Sequence, residues 1–298
     1  MAEFEVRPAR FEDLPDAADA QYEALVDMHR RHGLPSPAAP PSGLAPGWVH
    51  LFESHGGGGF YVAEAGGRII AVMVGILREG NWFLANFWCR PQWQGKGVGA
   101  ALREAMRPHL EAAEVASVYA SYDPPAMTTY QRLGMWARAP FFAFTLPEGR
   151  RIAGTTPWPG VVREPSGLSE QDLAAVGELD RAVRGCRRDL DQRHIAGRPG
   201  VRSYLFEREG RLLAYAHAWP TGVIGPVAAA DPADLPAVLE RAAAGLEGPI
   251  SLRVPGENVT AVQWCLSRGF RLREHALFFS SRPFGQFDRY IITGPSLL

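Results

Sequence analysis

Short apolar runs broken by glycine, proline and asparagine alternate along this chain with longer stretches in which apolar residues recur every three or four positions. The runs at residues 4–7, 82–89, 115–121 and 139–146 predict strands, and 60–76 predicts a hairpin of two apolar arms around a glycine-containing turn. The stretches at 11–31, 97–111 and 126–133 predict helices, so the first half reads as a mixed sheet with helices on its faces. The pattern then recurs. Residues 61–71, from Tyr61 to Ala71, realign with Tyr204 to Ala214 at an offset of 143, and both pieces read as hairpins. Asp123, Ala126, Tyr130, Gly134 and Met135 match Asn258, Ala261, Cys265, Gly269 and Phe270 at an offset of 135, a shorter loop accounting for the difference. The second copy predicts helices near 170–184 and 236–244, a strand at 250–254 and a helix at 260–268.

A length of 298 residues suits two domains of roughly 150. The proline-rich stretch Thr155, Thr156, Pro157, Trp158, Pro159, Gly160 marks the junction, which gives domains at 1–150 and 160–298. The fold class expected is α/β, an α+β mixed sheet written twice. With 31 Lys+Arg against 32 Asp+Glu the charges nearly cancel, so no nucleic-acid partner is expected. Cys89, Cys186 and Cys265 are an odd number at wide spacings, which fits a reducing compartment and no metal or disulfide framework. Met1 to Glu5 lacks a basic flank or apolar run, and no stretch reaches the roughly 18 apolar residues of a membrane helix. A soluble cytoplasmic protein without a membrane partner is the expectation.

The chemistry concentrates in residues 87–102. An apolar strand ends at Phe87, Trp88 and Cys89, Pro91 breaks it, and Gly95, Gly97 and Gly99 lead into an Ala/Leu-rich helix. Glycines let a backbone approach a ligand closely, and the first amides of a helix have no partners within it, so the loop is a ready anion site. It lacks the GK[ST] ending of a P-loop and the G-x-G-x-x-G dinucleotide spacing.

Here the chain resembles the GNAT superfamily of N-acetyltransferases. Its signature [Q/R]-x-x-G-x-[G/A] stands as Gln94, Gly95, Lys96, Gly97, Val98, Gly99. Its downstream pattern stands as Asp123, Ala126, Tyr130, Gly134 and Met135, and its usual start as Val6, Arg7, Pro8, Ala9 with Asp13 and Leu14. The resemblance spans most of residues 4–146 and implies two tandem GNAT-like domains and acetyl-coenzyme A as cofactor. It implies that Gln94, Gly95, Lys96, Gly97, Val98, Gly99 and Ala100 hold the pyrophosphate, and that Phe87, Trp88 and Cys89 pair with the pantetheine arm. Asp123 and Tyr130 complete the cofactor site, with Tyr130 as proton donor to the sulfur. An acyl-cysteine at Cys89 is disfavoured, because the family transfers directly.

The second copy departs from the signature: Ala229, Asp231, Pro232 and Asp234 fall where Gln94, Lys96, Gly97 and Gly99 stand, and Cys265 falls on Tyr130. A proline without an N–H and two carboxylates predict a degenerate copy that binds coenzyme A poorly, with a role in shaping the substrate cleft or stabilising a homodimer. The segment 179–189, with Arg181, Arg184, Arg187 and Arg188, reads as a solvated helix end in preference to an anion site. The general base is open. Many GNAT enzymes carry a glutamate on the strand before the loop, but residues 81–88 offer only asparagines and apolar or aromatic side chains. Glu53 and His55 are the leading candidates, followed by His50, Glu79, His29 and His32. Residues 33–59, rich in proline and with the run Gly56 to Gly59, read as a loop that carries binding residues or merely connects. The function expected is transfer of acetyl to a primary amine of a small molecule, peptide or protein. The alternative is an acyl-coenzyme A-binding sensor or pseudo-enzyme without turnover.

Overall fold

A computed structural model describes residues 3–39, 43–121, 123–152 and 156–297. Met1, Ala2, Pro40, Pro41 and Thr155, which entered the sequence reading, lie outside the described residues. The chain divides into two compact units, Met1–Val118 and Tyr119–Leu298.

The first unit holds β1 (Glu5–Pro8), α1 (Leu14–Arg31), α2 (Pro46–Ser54), β2 (Phe60–Ala65), β3 (Arg68–Arg78), β4 (Asn81–Cys89), α3 (Val98–Glu111) and the start of β5 (Val115–Ala120). The strands lie in the order β1-β2-β3-β4-β5, antiparallel up to β4, with β5 parallel to β4. Ile69 to Val74 of β3 are all buried, the continuous apolar run expected of a strand covered on both faces. Leu14, Ala17, Ala20, Ala24 and Met28 form the buried stripe of α1, at helical spacing, against β3 and β4. Val98, Leu102 and Met106 do the same for α3 on β2, β3 and β4.

Residues 33–59 are not simply a connector. Pro46 starts α2, tolerated there because the first turn needs no N–H, and Trp48 and Phe52 pack their rings on Phe60. The glycine run is fixed as well: Gly75 N–H donates to Gly59 O (2.9 Å), Trp82 Nε1 to Gly58 O (2.6 Å) and His109 Nδ1 to Gly57 O (2.6 Å).

The second unit comprises α4 (Pro124–Arg132), β6 (Trp136–Leu146), β7 (Val161–Arg163), α5 (Glu170–Arg184), α6 (Asp189–Ala196), β8 (Arg202–Arg208), β9 (Arg211–Ala218), β10 (Ile224–Ala229), α7 (Leu235–Ala243), β11 (Ile250–Pro255), α8 (Val259–Ser267), β12 (Arg271–Ser280) and β13 (Tyr290–Ile291). One sheet runs β13-β10-β9-β8-β7. In addition β6, at the end of the first repeat, is flanked by two strands of the second, β12 and β11, both antiparallel to it.

The repeat read from sequence is repeated in detail. The β2–β3 ladder shifts register between Ala63 and Glu64, and the β8–β9 ladder shifts between Phe206 and Glu207, the same place at the offset of 143. Each copy also ties its first strand, first helix and hairpin with one arginine. Arg7 bridges Asp13 (2.6 Å) and Glu64 (2.7 Å), and Arg163 bridges Asp172 (2.5 Å) and Glu207 (2.7 Å).

The copies differ inside. Where β3 presents apolar Val72 and Val74, β9 presents Tyr215 and His217 to a fully buried polar network. Asp180 accepts from Tyr215 Oη (2.5 Å), Gln192 Nε2 (2.8 Å) and Arg188 Nε (3.1 Å). Gln192 turns its Oε1 to His217 Nε2 (2.9 Å), and His217 Nδ1 meets Ser203 Oγ (2.9 Å). An amide oxygen only accepts, so Nε2 carries the proton and Nδ1 accepts from the serine, a neutral imidazole. Arg184 and Arg188 are thus buried rather than on a solvated helix end.

Burial, and then the Arg188 guanidinium, lower the His217 pKa from 6.5 to about 3. A histidine held neutral stabilises the fold fully above its unfolded pKa, and that stability is lost as pH falls toward the folded value. Urea unfolding is expected to lose about 1.4 kcal/mol per pH unit between pH 6 and 5 from this group, a slope that His217→Gln removes.

Candidate active site

The β4-to-α3 connection folds as its glycines require. Gly95 has φ +74° and Gly97 φ +87°, left-handed values that a residue with a Cβ adopts only under strain. Gly97 is the N-cap of α3, and the N–H groups of Gly95, Lys96, Gly97, Val98 and Gly99 donate to no other group among the described residues. No acidic residue stands in the first turn of α3. The positive helix end therefore meets an exposed backbone free of competing carboxylates, a donor set that fits a pyrophosphate. Lys96 adds an exposed cation, its Nζ 5.3 Å from the centre of the Trp93 ring. Gln94, whose Nε2 donates to Cys89 O (3.0 Å), closes the loop onto the strand end.

The strand end is open along one edge. The parallel pairing of β4 with β5 runs from Asn81↔Val115 to Leu84↔Val118, whereas Phe87, Trp88 and Cys89 lie beyond it and are held by β3 through Met73, Val72 and Ala71. A register shift at Ala85, where Asn86 faces Val74 but Leu84 faces Gly75, bends β4 just before that stretch. The outer backbone edge of Phe87 to Cys89 is what an extended ligand with amide groups can pair with. Cys89 itself is half-buried, and burial raises its thiol pKa to about 11, which keeps it protonated and a poor nucleophile.

A clamp that sequence reading missed fixes the junction. The buried Arg90 donates Nε to Ile69 O (2.8 Å) and Nη2 to Asp16 Oδ1 (2.5 Å), and pairs through Nη1 with Glu23. Asp16 in turn accepts from Ile69 N (2.5 Å). The partners lie 67 and 74 residues away, so nothing local signals them. A second group escaped notice for the same reason: Asn86 Oδ1 accepts from Gln21 Nε2 (2.8 Å) and Trp88 Nε1 (3.1 Å).

The structure brings Phe87, Trp88, Cys89 and Gln94 through Ala100 together as one continuous strand, loop and helix start. It does not bring His55 to them. His55 O accepts from Leu77 N (2.9 Å), and Leu77 faces Trp82, whereas Val72 faces Trp88. Five residues of β3 separate the two places, about 16 Å at the usual strand rise. Glu53 is exposed on α2, and His55 Nδ1 is buried without a hydrogen-bond partner. Burial, then His109 and Arg78, lower the His55 pKa. By that register, His55 lies toward the opposite end of β4 from Phe87 to Cys89. Glu79, in the β3–β4 turn, lies at that same end. His29 is engaged with Pro35 O (2.6 Å) and His50 with the Ser54 hydroxyl.

Asp123 and Tyr130 belong to the second unit, as the N-cap and a buried residue of α4. Tyr130 packs edge-on against Phe279, and burial, then Asp123, raises its pKa, so the phenol holds its proton. In the second repeat the corresponding loop is closed by its own residues. Asp231 accepts from Ala233 N (2.8 Å) to cap the turn at Pro232–Asp234, and Asp234 pairs with Arg208 (3.2 Å) before α7 begins. Cys265 is fully buried on α8, its thiol pKa raised by burial.

Comparison with known proteins agrees with this architecture. The acetyltransferase (GNAT) family model matches residues 22–135, and an acetyltransferase (GNAT) domain model matches residues 176–278. A putative acetyltransferase from Pyrococcus horikoshii superposes with a TM-score of 0.75 at 16% identity, covering 99% of this chain and 96% of that one. A GCN5-related N-acetyltransferase from Sphaerobacter thermophilus gives 0.59 at 13%, covering 94% and 96%. A tandem GNAT protein from the clavulanic acid biosynthesis pathway gives 0.56 at 16%, covering 95% and 100%. At these identities the structures speak for the fold, and the two family models, which together span more than half of the chain, for its kinship. The chain belongs to the GNAT acetyltransferase family and carries two GNAT domains in tandem.

Proposed function

We propose that this chain transfers acetyl from acetyl-coenzyme A directly to a primary amine of a small molecule, peptide or protein, with one cofactor site per chain, in the first repeat. The observation that carries the reading is the run of unengaged N–H groups at Gly95 to Gly99, at a helix start without acidic residues. In this reading the loop holds the pyrophosphate, the free edge of Phe87 to Cys89 pairs with the pantetheine amides, and the cofactor supplies a thioester. The repeats act as two modules, 1–150 and 160–298, and the self-capped loop of the second supports a structural role for it.

The incoming amine nitrogen forms the C–N bond after shedding a proton to solvent or a base, the C–S bond breaks, and the departing sulfur takes a proton. Tyr130, carried over from its motif position, fits the last role because its burial keeps the phenol protonated at neutral pH. Thiol release from acetyl-coenzyme A with a panel of amines tests the reading. Turnover with at least one amine is expected, and Tyr130→Phe is expected to lower kcat about a hundredfold or more. Tight cofactor binding with no turnover on any amine would instead favour a sensor.

A further inference from the structure

The geometry points to Asn86 as an acceptor-specificity residue that selects amines bearing a hydrogen-bond-accepting oxygen near the amine. The inference rests on the transfer reading above.

Asn86 sits where β4 changes register, one residue before the stretch Phe87 to Cys89, and only 4% of it is exposed. Its amide orientation is decided by chemistry. An indole N–H only donates, so Trp88 Nε1 at 3.1 Å requires the Asn86 oxygen on its side, and Gln21 Nε2 at 2.8 Å donates to that same oxygen. With Oδ1 engaged twice, Asn86 directs its NH2 group away from both donors, and Nδ2 has no partner among the described residues. Nδ2 is not one of the fully buried polar atoms that lack a partner, so this donor reaches the accessible surface, where a ligand oxygen can take the place of water.

The side on which this donor lies identifies the ligand. A Cβ on Gly99 would meet the Phe87 ring at 3.3 Å, so Phe87 faces α3, the helix that starts at the pyrophosphate loop. Asn86 and Trp88 face α1 through Gln21. Neighbouring side chains along a strand point to opposite faces, so Asn86 lies on the side away from the cofactor loop, where a second substrate approaches. A donor there matches a carbonyl, carboxylate or hydroxyl oxygen. It does not match a second ammonium, for which a carboxylate on β4 would serve. Gln21 and Trp88 act as positioning residues, because they hold the carboxamide in this orientation.

Asn86→Asp tests the idea with an isosteric change. A carboxylate still accepts from Gln21 and Trp88 but presents an oxygen where the NH2 group was. Thiol release is compared for pairs of equal-length primary amines, amino amides against plain alkylamines. Wild-type protein is expected to prefer the amino amides, and Asn86→Asp and Asn86→Ala are expected to raise their KM and lower their kcat/KM about ten- to hundredfold. The values for alkylamines, and the calorimetric affinity for coenzyme A, are expected to stay within about threefold. Equal losses on both amine classes, or no wild-type preference, would each overturn the inference. A wild-type protein that fails to bind coenzyme A at millimolar concentration, or that binds it and turns over no amine, would instead overturn the transfer reading beneath it. Gln21→Leu is expected to weaken the preference partially, because Trp88 still orients the oxygen.

Discussion

Replacing Gly97 with valine is expected to lower the affinity for coenzyme A by at least about a hundredfold while leaving the protein folded. Gly97 holds φ at +87° as the N-cap of α3. A β-branched residue there costs about 1–2 kcal/mol or more, and the strain is relieved by turning the peptide planes on either side. Those planes carry the N–H groups of Gly97 and Val98, so the relief itself misdirects the donors. Space is not the issue, because a Cβ at Gly97 meets nothing within 4 Å of the protein. Any effect on binding therefore reports backbone direction or contact with the ligand. Calorimetry with coenzyme A, beside thermal unfolding, separates the outcomes: unchanged affinity in a folded variant contradicts the cofactor assignment.

The second large effect lies far from that loop in sequence. Asp180→Ala is expected to destabilise the chain by about 3–5 kcal/mol, read as a drop in the urea midpoint. The carboxylate is fully buried and receives Arg188, Gln192 and Tyr215 together. Its removal leaves a buried guanidinium without this counter-charge and two polar groups without their acceptor. Double replacement, Asp180→Leu with Arg188→Met, is expected to recover part of the loss, since it removes both charges at once. Coenzyme A affinity measured on folded protein is expected to stay near the wild-type value. A stability loss under 1 kcal/mol for Asp180→Ala would mean that water reaches the site and the network is not sealed.

These two sites mark the reach of sequence reading. The loop was legible because its donors, its glycines and the helix they start are consecutive, and because the chain repeats its own hairpin down to the register shift. The Asp180 network was not. Arg184 and Arg188 read as solvated because charged side chains usually are, and the network that buries Arg188 with Asp180 also draws Tyr215 from a strand 27 residues away. Arg90, between a cysteine and a proline, looks unremarkable for the same reason. Helix α2 was hidden by its setting among prolines and glycines, and α6 by its eight mostly polar residues. β12 went unnoticed because Arg271 to His275 are exposed without alternation. Glu53 and His55 stand out by residue type and by their place before the hairpin, and only the β3–β4 register reveals which end of the sheet His55 occupies.

The position of β6 bears on why a second copy with a self-capped loop persists. At the offset of 135, β5 corresponds to β11 and β6 to β12. Phe141 to Leu146 of the last strand of the first repeat are thus zipped along one edge to β11, while the strand pairs along its other edge with β12. The two copies can differ in chemistry but not part, because losing the second would strip β6 of both neighbours. Side chains in either loop can then change while the strand pairing that joins the repeats holds.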